Sequence, residues 1–175
     1  MELGPTGYPF EKFFAGILEQ YGYKTQTNVM IKGTCVMHEV DILAKKDGCT
    51  IYIESKFHNG SGTKSDVRDA LYTHARFLDI KKGEGCEEHW LVTNTKATHD
   101  AVVYGTCIGM KVISWNKPDD FSVRHLIEKS NLHPLTALPN LSTAEKQSLL
   151  NEGIVFAKDY RRNSKTTIHL ENLQD

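Results

Sequence analysis

The 175-residue chain contains no uninterrupted apolar run of about 18 residues, so no transmembrane helix is expected. Its four cysteines, Cys35, Cys49, Cys86 and Cys107, show no CxxC spacing. That speaks against a zinc knuckle or a dithiol redox motif and makes reduced thiols the expectation. A surplus of one charge is also lacking: 21 Lys and Arg meet 22 Asp and Glu, for a net charge of −1. No global basic field therefore draws in phosphates, and any contact with nucleic acid has to come from a local site. GxxxxGK[ST] is absent, and no nucleophile elbow or paired base stands out, so neither a phosphate-loop enzyme nor a serine or cysteine hydrolase is supported. The opening Met1-Glu2-Leu3-Gly4-Pro5 lacks the basic-then-apolar pattern of a signal peptide, which makes the cytoplasm the expected location. Internal repeats and low-complexity stretches are missing too. What remains is the composition of a globular protein, long enough for one ordinary domain and a small appendage.

Apolar periodicity predicts a helix over 7–22, carried by Phe10, Phe13, Phe14, Ile17, Leu18 and Tyr21 and closed by Gly22. Strands are expected at 27–31, 35–44 and 49–57, the last two joined by an Asp47-Gly48 hairpin turn. A loop at 58–62 leads to a second helix, 64–81, with Val67, Ala70, Leu71, Ala75 and Leu78 as its apolar stripe. A strand (89–94), a helix (98–108) and a strand (111–115) then read as a βαβ crossover. The order implies an α/β fold on a mixed sheet flanked by helices. Asn116 to Asp120 breaks the pattern, giving a domain over 1–117 and a small, mainly helical C-terminal extension over 118–175. In that extension Ser142 and Glu145 have capping-box spacing and should open a helix that stops near Gly153.

The hairpin carries the chemistry. Around a two-residue turn at 47 and 48, facing residues have numbers summing to 95, which sets Asp41 opposite Glu54 and Glu39 opposite Lys56. Alternation then puts Glu39, Asp41, Glu54 and Lys56 on one face, and Val40, Ile42, Ala44, Ile51, Ile53 and Phe57 on the other. Facing carboxylates repel, and a bound cation relieves that repulsion. An all-oxygen carboxylate set suits Mg²⁺ or Mn²⁺, which can polarise a phosphoryl oxygen and acidify a bound water. A neighbouring lysine can orient that water or stabilise developing negative charge. The bland alternative is the solvated side of an antiparallel sheet.

Asp41, twelve intervening residues and then Glu54-Ser55-Lys56 resemble the core motif of the PD-(D/E)XK nuclease superfamily, with Val40 where proline usually precedes the aspartate. Gly7-Tyr8-Pro9-Phe10-Glu11 and Tyr21-Gly22-Tyr23 are similar to the opening of its Mrr-like and Holliday junction resolvase-like branch, in which Glu54 commonly is Gln. The resemblance spans about residues 7–115 and implies a restriction endonuclease-like αβββαβ core. It also implies Asp41 and Glu54 as metal ligands, Lys56 as the catalytic lysine, and Glu11 as a helix-borne acid binding the metal directly or through water. An ordinary first-turn acid is an equal reading of Glu11. The activity so implied is metal-dependent endonucleolytic cleavage of DNA, of restriction or repair type. A decayed DNA-binding or regulatory module and a structure-specific resolvase are the alternatives. Cutting both strands needs two sites, which makes a homodimer an expectation.

Further candidates are weaker. Glu39 is a salt-bridge partner for Lys56. His58 leaves the site on a loop, and His74 lies in the apolar stripe of the second helix, where a satisfied core histidine is the commoner case. Lys64, Arg68 and Arg76, with Arg161 and Arg162 in the tail, could meet a phosphate backbone, and Tyr72 could touch DNA or merely decorate the surface.

Overall fold

The computed structural model describes residues 7–60, 62–82 and 86–160. Helix α1 (Tyr8–Gln20) is entered through Pro9, whose fixed φ suits a first helical turn, and it buries Phe10, Phe13, Phe14, Ile17 and Leu18 completely. The chain then runs up and down through β1 (Lys24–Lys32), β2 (Met37–Lys46) and β3 (Cys49–Lys56). Asp47 (φ 50°) and Gly48 (φ 79°) make the turn between β2 and β3. Both central residues take positive φ, so the strands leave it with Lys46 facing Cys49 and Ile42 facing Ile53, the register expected of an Asp-Gly turn.

A short strand, β4 (Lys64–Ser65), precedes α2 (Val67–Ile80), capped by the Asp66 side chain on the Arg68 amide. Next come β5 (Cys86–Thr93), β6 (Lys96–Ala97), α3 (His99–Cys107) and β7 (Lys111–Ile113). The main sheet has the order β1-β2-β3-β5-β7, antiparallel in its first half and parallel in its second, while β4 and β6 form a small parallel pair. This is the α/β mixed sheet flanked by helices that the sequence implies, a restriction endonuclease-like core. Strand β7 stops at Ile113 because Ser114 N–H turns to the Lys117 carbonyl and Trp115 N–H to the Thr95 carbonyl.

Beyond it lie α4 (Val123–Ser130), a 3₁₀ turn at Leu135–Ala137 and α5 (Thr143–Asn151), the last opened by the Ser142–Glu145 capping box. Val123, Leu126, Leu135, Leu150 and Phe156 join the same apolar cluster as α1 and the inner residues of β2, β3 and β5. Gly16 in α1 lets this happen: a Cβ there would come within 2.6 Å of the Phe156 ring.

The other sheet face is covered by α2 and α3, but not through the stripe the sequence suggests. Leu71 and Leu78 are 46% and 49% exposed, and α2 instead buries Ala70, Thr73, Phe77 and Ile80. The sheet beneath it is aromatic and polar, with Phe77 stacked on His89 at 4.1 Å and tilted against Tyr52 at 5.8 Å. Thr73 tolerates burial because its hydroxyl donates to the Asp69 carbonyl at 2.8 Å. The cysteine expectation also fails in part: Cys49 and Cys86 open β3 and β5 side by side and are joined by a disulfide, while Cys35 and Cys107 are free.

Burial, then the nearby charges of His74 and Lys81, lower the His89 pKa from 6.5 to about 4. Between those values the unfolded chain takes up a proton that the folded chain refuses, so stability falls as pH falls through that window and levels off below it. The gap corresponds to about 3 kcal/mol. Urea unfolding at pH 7 and pH 4 should show His89→Gln losing less stability on acidification than the wild type by roughly that amount. An equal loss in both proteins would contradict it.

Candidate active site

Midway along β2 the pairing is interrupted. Thr27 faces Ile42 and Val29 faces Val40, but Asn28 and Asp41 between them appear in neither ladder, and the β2–β3 ladder stops at Ile42 and Ile53. Asn28 sits at φ 54°, a left-handed conformation that asparagine tolerates better than most residues. Strand β2 changes face here. Ile42 and Ala44 pack into the α1 cluster. Val40 instead lines a recess with Phe77 and Ile80 of α2, and His38 meets Asp79 at the end of that helix at 2.7 Å.

Glu39 is thereby turned toward α1, where the Asn28 side-chain amide donates to Glu11 Oε2 at 3.0 Å and to Glu39 Oε1 at 3.3 Å. The expected Glu39–Lys56 pair is therefore not formed, because strict alternation holds only up to Asp41. Asn28 was not among the sequence candidates. One more polar residue after Thr25, Gln26 and Thr27 gives no sign that it will take positive φ.

Asp41, freed from both ladders, accepts the Ser55 amide on Oδ2 at 2.7 Å. Next to it Glu54, 8% exposed, has both oxygens engaged. Lys56 Nζ donates to Oε1 at 2.7 Å, and Arg76 Nη1 donates to Oε2. Arg76 reaches on with Nη2 to the Glu39 carbonyl. Tyr72 roofs the cluster, its ring centroid 5.1 Å from Lys56 Nζ and 5.2 Å from Arg76 Cζ.

Burial first, then the charges of Glu54 and Glu11, push the Asp41 carboxyl up to about 7, although the Ser55 amide and Arg76 oppose the rise. The Glu11 pKa is raised mainly by burial, with Glu39 and Glu54 adding to it against the Asn28 hydrogen bond. Burial works against the Lys56 ammonium, yet the hydrogen bond and charge of Glu54, with Asp69 and Asp41, hold its pKa above the usual lysine value. The result is three acids sharing a partly buried space, of which only Glu54 has a lysine or arginine partner among the described residues. An oxygen-only set with unrelieved repulsion fits a hard divalent cation. It is not a closed chelate. Among the described residues, the one trio of His, Cys, Asp or Glu ligand atoms within 4.8 Å of one another is Cys49, Cys86 and Glu88, and its two sulfurs are bonded to each other.

The remaining candidates are placed as follows. His58 is bound into the fold, its amide donating to Asn94 Oδ1 at 2.8 Å and its ring 3.0 Å from the Ser65 hydroxyl. His74 is hydrogen-bonded to the Tyr104 hydroxyl at 2.7 Å and stacks on His89. Lys64 is exposed on β4. Arg68 pairs with Asp66 at 2.6 Å and, with Tyr72 and Arg76, recurs every four residues along one side of α2. Arg161 and Arg162 lie outside the described residues. A recess of about 820 Å³, lined by Val102, Met110, Val112, Pro118 and Phe121 among others, adjoins β7 and includes none of these residues. None of the helices among the described residues is long and apolar enough to cross a membrane.

A protein of Archaeoglobus fulgidus of uncharacterised function is 38% identical over 145 residues, 83% of this chain and 82% of that protein. The crystal structure of a protein of unknown function matches with a TM-score of 0.78 at 36% identity, covering 88% of this chain and 82% of the other. A model of the restriction endonuclease family Mrr_cat matches residues 5–118, the stretch that holds α1, the hairpin and the βαβ crossover. With most of its length matched in this way, the chain belongs to that restriction endonuclease family.

Proposed function

We propose that the protein is a divalent-metal-dependent endonuclease that hydrolyses DNA phosphodiester bonds. The observation carrying this reading is the convergence of Asp41, Glu54 and Lys56 at the point where β2 leaves its ladders, with Glu11 reaching in from α1. Asp41, Glu54 and Glu11 would hold Mg²⁺ or Mn²⁺. When bound, such an ion supplies positive charge to the phosphate and lowers the pKa of a water. Lys56, hydrogen-bonded to Glu54 at 2.7 Å, is placed to orient the attacking water or to stabilise charge on the phosphate. The Ser55 amide fixes the direction of the Asp41 carboxylate. Arg68 and Tyr72 line the approach to the site along α2 and would meet the DNA backbone and a base there, with Arg76 behind them engaged on Glu54.

The test is nicking of supercoiled plasmid with Mg²⁺ or Mn²⁺, compared with the chelated reaction and with Asp41→Asn. Metal-dependent nicking that disappears in the variant is the expected result, and a linear product would mark two sites acting together, as in a homodimer. A wild type that binds but does not cut plain, methylated or branched DNA would favour a module that only binds.

A further inference from the structure

Glu54 is held from two directions. Lys56 lies two residues along the same strand, so its bond to Oε1 is a local feature of β3. Arg76 comes from α2, takes Oε2, and continues to the carbonyl of Glu39, two residues before Asp41. The guanidinium thus spans from β3 to β2 beside Asp41, lowering the Asp41 pKa against the larger effects that raise it. Its side chain is only 15% exposed. Both contacts on Glu54 are charge-assisted, and although each oxygen keeps a second lone pair, the Arg76 guanidinium places a positive charge at Oε2 with which an approaching divalent cation must compete. The open arrangement of Glu11, Asp41 and Glu54 is consistent with this, since no three of their oxygens close to within 4.8 Å.

We propose that Arg76 is a positioning residue that occupies the place of the cation at Glu54: it holds the carboxylate until a divalent ion displaces it, and the released guanidinium then serves the phosphate. The proposal rests on the metal-dependent reading of the site. It requires Arg76 to oppose metal binding and to favour substrate binding. A residue that merely braces the fold would not affect the two in opposite directions. Tyr72, 53% exposed and already in cation–π contact with Arg76, gives the displaced guanidinium a surface to rest on at the mouth of the site.

Calorimetric titration with Mn²⁺ alone, without DNA, tests the idea on the wild type, Arg76→Gln and Arg76→Lys. Gln keeps hydrogen-bonding capacity and removes the charge, and thermal melts establish that each variant folds. Arg76→Gln is expected to bind Mn²⁺ about tenfold more tightly and short duplex DNA in Ca²⁺ more weakly. Arg76→Lys, which keeps the charge but loses the fork, should fall between the two proteins in both measurements. Equal or weaker Mn²⁺ binding by folded Arg76→Gln, beside a wild type that does bind Mn²⁺, overturns the role of Arg76 and leaves the nuclease reading standing. No Mn²⁺ binding by the wild type or by either variant overturns both.

Discussion

Lys56→Ala is expected to slow metal-dependent DNA cleavage by about 10²- to 10³-fold, the usual cost of losing one donor aimed at developing charge, while not weakening Mn²⁺ binding. Two features of the site separate these effects. Glu54 keeps its Arg76 partner when Lys56 is removed, so the carboxylate is not left buried and uncompensated. The Lys56 side chain is 27% exposed, so its truncation opens no cavity in the core. Initial rates of plasmid nicking at saturating metal, beside the Mn²⁺ titration, read both quantities. A variant that cuts within about threefold of the wild type would remove Lys56 from the chemistry. Lys56→Arg should recover little, because a planar fork does not reproduce a compact ammonium at 2.7 Å from Oε1.

Cys49→Ser is expected to cost about 3–4 kcal/mol of stability under oxidising conditions and nothing under reducing ones. The disulfide closes a loop between residues 37 apart in sequence, and loop-closure entropy for a cross-link of that span is of this order. Urea unfolding with and without a thiol reductant measures it. The wild type should fall to the level of the variant when reduced, and the variant should not change. Thiol titration provides a second check, because the native oxidised protein should offer only Cys35 and Cys107, both exposed. A full complement of four reactive thiols in the untreated protein would contradict the pairing. Cleavage of plasmid should proceed at the same rate in the variant.

The parts of this molecule readable from its sequence are those fixed by short-range chemistry. Asp47 and Gly48 dictate a turn geometry, the turn dictates the β2–β3 register, and the register brings Asp41 toward Glu54 and Lys56. The helix carrying Glu11 follows in the same way from the spacing of its phenylalanines. What could not be read depends on a third element. Glu39 turns away from Lys56 because β1 imposes an irregularity at Asn28 from the far side of β2. The apolar stripe of α2 misleads, since Leu71 and Leu78 make a convincing pattern while the helix packs through Thr73 and Phe77 onto Tyr52 and His89 of two other strands. The Cys49–Cys86 link requires knowing that β3 and β5 are parallel neighbours. Arg76 reaches Glu54 only because α2 is rotated as it is, so its spacing reads simply as a surface cation.

Strand β3 begins at the disulfide and ends at Lys56, and the seven residues of rise between them correspond to about 23 Å. On the proposed reading of the site, durability and reactivity are thus lodged at opposite ends of one strand. Oxidation state, a label or a substitution at the cysteine end acts on how long the molecule survives. With Lys56 in its proposed role, changes at the other end act on what the molecule does to its substrate, so the two properties can be tuned, by selection or by design, with little trade between them.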